Sequence, residues 1–280
     1  MLVVNSPDEL RRWRNGASGS IGFVPTMGAL HEGHMSLVDV SKANHSLTVV
    51  SIFVNPTQFG PHEDFHKYPR PVETDLALCR TRGVDVVYMP PVAAMYPPGC
   101  LTTVEPGPVA EKWCGASRPG HFRGVCTVVM KLLNQVRSAS LYLGEKDAQQ
   151  LRVIKRMVVD LDVPVAVVGC PIAREEDGLA MSSRNRYLST VERAGANALY
   201  RGLSAARESC LAGKLAAREL ERDFHNLLVK EGGWETDYCA IVDDDSLEPL
   251  SCVETTALFL VAARRGTTRL IDNMRLSAPR

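Results

Sequence analysis

The 280-residue sequence has no cysteines spaced C-x-x-C, no apolar run long enough to cross a bilayer and no excess of either charge. Each absence removes a class of function. The eight cysteines (79, 100, 114, 126, 170, 210, 239 and 252) are scattered through mostly apolar stretches, which leaves no readable zinc ribbon or disulfide framework and fits free thiols in a reducing compartment. Thirty-two basic and 32 acidic side chains cancel, so the overall charge offers nothing to a nucleic acid or a membrane surface. The longest apolar runs are short and broken by charges, well below the roughly 18 residues a membrane helix needs. The amino terminus, MLVVNSPDELRRWRN, turns polar within a few residues and lacks an apolar core with a cleavage site, so a cytoplasmic location is expected. No internal repeat or low-complexity tract is visible.

What the chain does have is alternation. Apolar, β-branched runs at 21–24, 47–54, 84–89, 140–143 and 163–168 alternate with helical patterns at 34–43, 73–82, 125–136 and 147–160. That order predicts an α/β fold, a Rossmann-like doubly wound parallel sheet over residues 1–175. The proline- and glycine-rich stretch from Pro90 to Pro119 reads as an excursion over the sheet edge. Past Gly169, helical patterns at 190–211 and 216–231 precede short strands at 237–242, 257–263 and 269–273, a smaller α+β C-terminal domain over 176–280. The boundary is expected near 172–178, with the acidic turn Glu175-Glu176-Asp177-Gly178 as hinge.

The most informative stretch is GFVPTMGALHEGHMSLV, residues 22–38. It reads as the end of a buried strand, a turn permitted by Gly28 and Gly33, and a helix starting near Gly33 or His34. An early helical turn presents unpaired N–H groups and partial positive charge, so His31 and His34 are placed beside an anion site. Two imidazoles near phosphate suggest phosphoryl or nucleotidyl chemistry. The loop is neither the Walker pattern, since no Gly-Lys-Ser/Thr follows, nor the dinucleotide G-x-G-x-x-G fingerprint.

Further strings carry polar groups to helix starts and strand ends. In SIFVNPTQFG, Pro56 ends the strand and leaves Asn55 and Gln58 at its edge; Gln58 either holds a hydroxyl and a carboxylate of a small substrate or satisfies nearby backbone. In GEKDAQQ, Gly144, Lys146 and Asp147 crowd a helix amino terminus, where a lysine is easier to understand beside a phosphate; Asp147 is either a ribose ligand or an N-cap, and Gln150 faces the same mouth. DGLAMSSRNRYL offers Ser182, Ser183 and Arg184 as a movable phosphate clamp, or as capping serines with a surface arginine. RPGHFRG places Arg118, His121 and Arg123 ahead of a helix, shaping a pocket or a subunit contact. His62-Glu63-Asp64-Phe65-His66 fits H-E-x-x-H, but Pro61, Pro69 and Pro71 leave little room for the long helix that motif requires, and no metal ligand is expected.

The H-x-G-H string after a strand, within PTMGALHEGH, together with SIFVNP-x-QF, GEKD and MSSRN in this order, resembles the pantothenate synthetase family of the H-x-G-H nucleotidyltransferases. The resemblance runs nearly the whole length, to ALFLVAARRGTTRLIDNMRL. It implies an ATP-dependent condensation of pantoate with β-alanine through a pantoyl adenylate, releasing AMP and pyrophosphate, with ATP as substrate, Mg²⁺ bound to it, and a homodimer whose C-terminal domain is a lid. It assigns ATP to Met27, Gly28, Ala29, Leu30, His31, Glu32, Gly33, His34, Gly144, Glu145, Lys146, Asp147, Ala173, Met181, Ser182, Ser183 and Arg184. Pantoate falls to Gln58, Gln150 and Asn55, and catalysis chiefly to His34, with His31, Lys146 and Arg184. Ser138-Ala139 stands where the family usually has Pro-Asp, and Asp244 where it has proline, which bears on local turns. Two rivals remain open at this stage: another H-x-G-H transferase that attacks with a phosphate, and a nucleotide-binding regulator without turnover.

Overall fold

The computed structural model describes residues 1–61 and 63–279. Two compact units make up the chain: Met1–Glu145 with Gln150–Pro171, and Lys146–Gln149 with everything from Ile172 onward.

The first unit is built on β1 (Leu2–Val4), β2 (Ile21–Thr26), β3 (Leu47–Ile52), β4 (Val86–Tyr88), β5 (Ser140–Gly144) and β6 (Ala166–Cys170). They form one parallel sheet of order β1-β4-β3-β2-β5-β6. Between them in sequence run α1 (Pro7–Gly16), α2 (Glu32–Asn44), α3 (Val72–Thr81), the one-turn α4 (Val92–Met95) and α5 (Cys114–Ser117), then α6 (His121–Val136) and α7 (Ala148–Asp160). From β2 the chain steps through β3 to β4 in one direction, while β5 and β6 lie on the other side. The strand order therefore reverses between β2 and β5, where doubly wound sheets open a crevice at their carboxyl ends. β2 continues through Pro25 to Thr26 because its pairing with β5 ends at Phe23, so the missing N–H costs no bond on that side. α6 turns an almost continuous apolar face inward, Phe122, Val125, Val128, Val129, Leu132, Leu133 and Val136 all being buried. Each such side chain contributes about 1.5–3 kcal/mol. The 90–119 stretch is mostly irregular and is tied to α6 by the Val104 amide, which donates to Thr127 Oγ1 at 3.0 Å.

In the second unit, α8 (Thr190–Ala194), α9 (Ala198–Leu211) and α10 (Ala217–Glu231) precede the antiparallel sheet β7 (Trp234–Val242), β8 (Thr256–Arg265), β9 (Thr268–Ser277). Leu199, Leu203, Leu220, Phe224 and Leu228 of the helices share one core with Phe259, Val261 and Leu270 of the sheet.

Three expectations need correction. The helix expected over 190–211 is broken: Gly195, Ala196 and Ala198 each donate to the carbonyl three residues back, and a Cβ on Gly195 would meet the Arg265 guanidinium at 2.5 Å. The acidic turn lies inside the second unit as a closed hairpin, with Glu175 and Asp177 both bonded to Arg193 at 2.6 Å. Strand β1 and helix α1 were not expected at all, although Ser6 caps α1 and Pro7 opens it. All eight cysteines are free thiols, and burial pushes those of Cys79 and Cys126 up to about 12.

Candidate active site

The loop after β2 is fixed from both sides. Thr26 Oγ1 donates to Ser51 O (2.8 Å) and accepts the Gly28 amide (3.1 Å). Gly28 (φ +80°) and Ala29 (φ +50°) both take left-handed backbone, which an L side chain at Ala29 resists by about 1–2 kcal/mol. The compensation comes from Asp75 of α3, fully buried, whose two carboxylate oxygens accept the amides of Ala29 and Leu30 at 2.8 Å each. The turn thus rests on Gly28 and Ala29, and Gly33, expected as a turn residue, lies in the first turn of α2. Sequence reasoning passed over Asp75 because it sits in an ordinary helical pattern 45 residues away.

His31 is the N-cap of α2 and His34 its third residue. His31 Nδ1 accepts the Gly33 amide at 3.1 Å, and His34 Nδ1 accepts the His31 amide at 3.3 Å, a capping box made of two imidazoles. A ring nitrogen that accepts carries no proton, so the hydrogen-bond pattern assigns both rings the neutral tautomer with the proton on Nε2. Their centroids are 4.1 Å apart, both half-buried, so two Nε2–H donors stand together at a helix amino terminus. That combination suits an oxyanion.

Gln58 lies on a shelf beyond β3. Asn55, 1% exposed, donates to Gln58 Oε1 (3.0 Å) and Gly124 O (3.1 Å) and accepts from Thr57 Oγ1 (2.9 Å) and Tyr96 OH (2.8 Å). Both ends of its side-chain amide are engaged by protein, and Asn55 thereby holds Gln58. Gln58 Nε2 lies 3.1 Å from Met27 Sδ, joining the shelf to the histidine loop. Gln58 O accepts from His121 Nδ1 (2.8 Å) and Arg118 Nη2 (3.3 Å), while Arg118 Nη1 donates to His121 Nε2 (2.9 Å). Arg118 in turn grips Glu63 with two bonds, 2.6 and 2.7 Å. Burial pushes the Glu63 carboxyl up, but the Arg118 hydrogen bonds and charge and the Gly60 amide outweigh it and hold it at about 2. Glu63 is thereby committed to Arg118; His62 of the H-E-x-x-H string lies outside the described residues. A cavity of about 260 Å³ opens over this shelf, lined by Gln58, Tyr96, His121 and Gly124 among others. α6 can approach so closely only because residue 124 is glycine, since a Cβ there would overlap the Thr57 carbonyl. Of the string RPGHFRG, Arg118 and His121 therefore shape the shelf, and Arg123 pairs with Glu105.

Gly144 ends β5 opposite Cys170, and the Glu145 amide donates to Cys170 O at 2.8 Å; both belong to the first unit, as does Gln150. In the second unit, Lys146 Nζ lies 3.4 Å from Asp147 Oδ2, and the Lys146 carbonyl accepts from Asn273 Nδ2 at 3.1 Å. Ala173 O accepts the Met181 amide (2.9 Å), and Ser182 Oγ accepts the Arg184 amide (3.2 Å) as N-cap of the 3₁₀ turn Ser183–Tyr187. Ser183 is buried and Arg184 half-buried. The site residues expected from sequence thus divide between the units, with Met27–His34, Asn55, Gln58, Gly144, Glu145 and Gln150 on the first and Lys146, Asp147, Ala173 and Met181–Arg184 on the second.

Residues 2–275 match the family model described as Pantoate-beta-alanine ligase. The chain is 50% identical over 283 residues to a bifunctional pantoate ligase/cytidylate kinase of Synechococcus elongatus, all of this chain aligning with 54% of that protein; it spans about half the length of that curated relative. It is similar to the crystal structure of pantothenate synthetase from Thermus thermophilus (47% identity, TM-score 0.94, 98% and 99% of the two chains). A pantoate-beta-alanine ligase from Francisella tularensis, complexed with beta-gamma ATP and beta-alanine, superimposes with TM-score 0.83 at 35% identity over 98% and 97% of the two chains.

Proposed function

The chain belongs to the pantoate-beta-alanine ligase family, and from that premise we propose that it condenses pantoate with β-alanine at the expense of ATP. The pantoate carboxylate attacks the α-phosphorus and expels pyrophosphate; the β-alanine amine then attacks the acyl adenylate, giving pantothenate and AMP. A carboxylate is a poor electrophile, and adenylation provides it with a leaving group.

The observation that carries this reading is the imidazole capping pair. Two fixed Nε2–H donors at a helix amino terminus meet charge that develops on phosphate oxygens in the transition state, without reorganising. His34 is assigned as the chief catalytic group and His31 as its partner on the α-phosphate. Gln58 and Gln150 are assigned to pantoate, with Asn55, His121 and Arg118 fixing Gln58. Lys146, Ser182, Ser183 and Arg184 are assigned to the β- and γ-phosphates. The nucleoside goes to Gly144, Asp147 and the backbone near Ala173 and Met181. Mg²⁺ is assigned to ATP as its counterion; among the described residues no group of three or more His, Cys, Asp or Glu is suited to hold a metal of its own. The Francisella relative named with beta-gamma ATP and beta-alanine supports both substrates. We assign the enzyme to the cytoplasm as a homodimer, and a monomeric mass by light scattering would reject the latter. No helix among the described residues is long and apolar enough to cross a membrane.

The deciding experiment is pantoate-dependent exchange of labelled pyrophosphate into ATP without β-alanine. Exchange is expected. Its absence, with ATP and pantoate both bound, rejects the adenylating ligase and points to a transferase or a regulator.

A further inference from the structure

The carboxyl-terminal strand contains a polar pair that the mechanism leaves unused. Along β9, Thr268, Leu270 and Asp272 share one face, and Arg269, Ile271 and Asn273 share the other. Asp272 and Asn273 are both buried, at 3% and 5% exposure, which breaks the alternation. Burying two adjacent polar side chains is costly unless both are bonded, and both are.

Asp272 receives Arg174 in a two-pronged ion pair, Nη1 to Oδ2 at 2.7 Å and Nη2 to Oδ1 at 3.0 Å. The same guanidinium donates to Gly178 O (3.0 Å) and lies 4.6 Å over the Tyr200 ring. Arg174 bridges Ala180 across the hairpin whose next pair is Ala173 with Met181, and the chain then runs directly into Ser182, Ser183 and Arg184. Asn273 points to the other face and donates to the Lys146 carbonyl at 3.1 Å. Its own amide donates to Asp272 Oδ1 at 2.8 Å, so the two anchors are coupled. Burial pushes the Asp272 carboxyl up; Arg174, the Asn273 amide and the Lys146 ammonium oppose that.

We infer that Asp272 and Asn273 are positioning residues, fixing Lys146 through its carbonyl and the Ser182-Ser183-Arg184 segment through Arg174, so that one strand sets both phosphate-binding pieces of the second unit. The inference rests on the assignment of those pieces to ATP phosphates. It gives a physical reason why Lys146–Gln149 groups with the second unit, apart from the residues on either side.

The test is Asn273→Ala in the full chain, read by ATP affinity in equilibrium titration and by KM values in pyrophosphate exchange. ATP affinity is expected to fall about tenfold while the pantoate KM stays within about twofold of wild type. Lys146→Ala combined with Asn273→Ala should bind ATP no more weakly than Lys146→Ala alone, because the strand acts through that lysine. Wild-type ATP affinity in Asn273→Ala, equal losses for ATP and pantoate, or a fully additive double variant would each overturn the inference. If Asn273→Ala does not fold, Asn273→Ser carries the same comparison. A wild-type protein that binds ATP without exchange sinks only the ligase reading, and one that binds no ATP sinks both.

Discussion

His34 accepts the backbone amide of His31 on its own Nδ1, at 3.3 Å. His31 accepts that of Gly33 in the same way, so each ring is turned by the main chain to present Nε2–H. Nitrogen–proton correlation spectra should therefore show both imidazoles as the Nε2–H tautomer at neutral pH. His34→Ala should lower turnover by about 10²–10⁴, the range for a positioned acid or donor. Near-normal turnover in that variant would remove His34 from the chemistry.

Asp75 acts on the same loop from behind, through two bonds to a carboxylate that are each worth about 1.5–3 kcal/mol. Asp75→Ala should cost about 3 kcal/mol in urea unfolding and raise the ATP KM, because Ala29 is held in a strained conformation. A loss below about 1 kcal/mol would show that the loop keeps its shape without the carboxylate.

Glu63 gives a pH signature. Its folded value is depressed from 4.5 to about 2, so its contribution to stability is complete above about pH 4.5 and is lost as pH falls towards 2. The stability gap between wild type and Glu63→Gln should be constant near neutrality and close between about pH 4.5 and 2. A gap unchanged at about pH 2.5 would mean that the Arg118 pair is not its source.

His121 and Gly124 both bear on Gln58, the first by a hydrogen bond to its carbonyl and the second by close approach of α6. His121→Ala removes a bond to the Gln58 carbonyl and should raise the pantoate KM about tenfold, equivalent to about 1.4 kcal/mol, with the ATP KM within about twofold. Gly124→Ala drives a methyl into the Thr57 carbonyl and should shift the same constant, with a stability loss of about 1–3 kcal/mol. Equal effects on both KM values would place the shelf elsewhere in the reaction.

The parallel strands and the histidine turn were legible because apolar runs and glycine punctuation are local signals. Strand β1 escaped notice at three residues long. Helix α1 escaped although Ser6, Pro7 and Glu9 form a readable start, because Leu10 alone is buried along it. Asn55 illustrates a different limit: the partners of a strand-end amide, here Gly124 and Tyr96 among others, cannot be read from its own neighbourhood in the sequence. Arg118 and His121 were visible as a polar string, but their target, the Gln58 carbonyl, lies about 60 residues upstream and leaves no local trace.

The polypeptide passes between its two units at 145/146, at 149/150 and again at 171/172. Neither can therefore be excised by a single cut in the gene. A fragment ending at Pro171 would carry Lys146 away from Asn273, and one starting at Ile172 would lack the Lys146 carbonyl to which that asparagine donates. Grafting either half onto a new neighbour would separate the same pair unless the four residues Lys146–Gln149 travelled with the second unit.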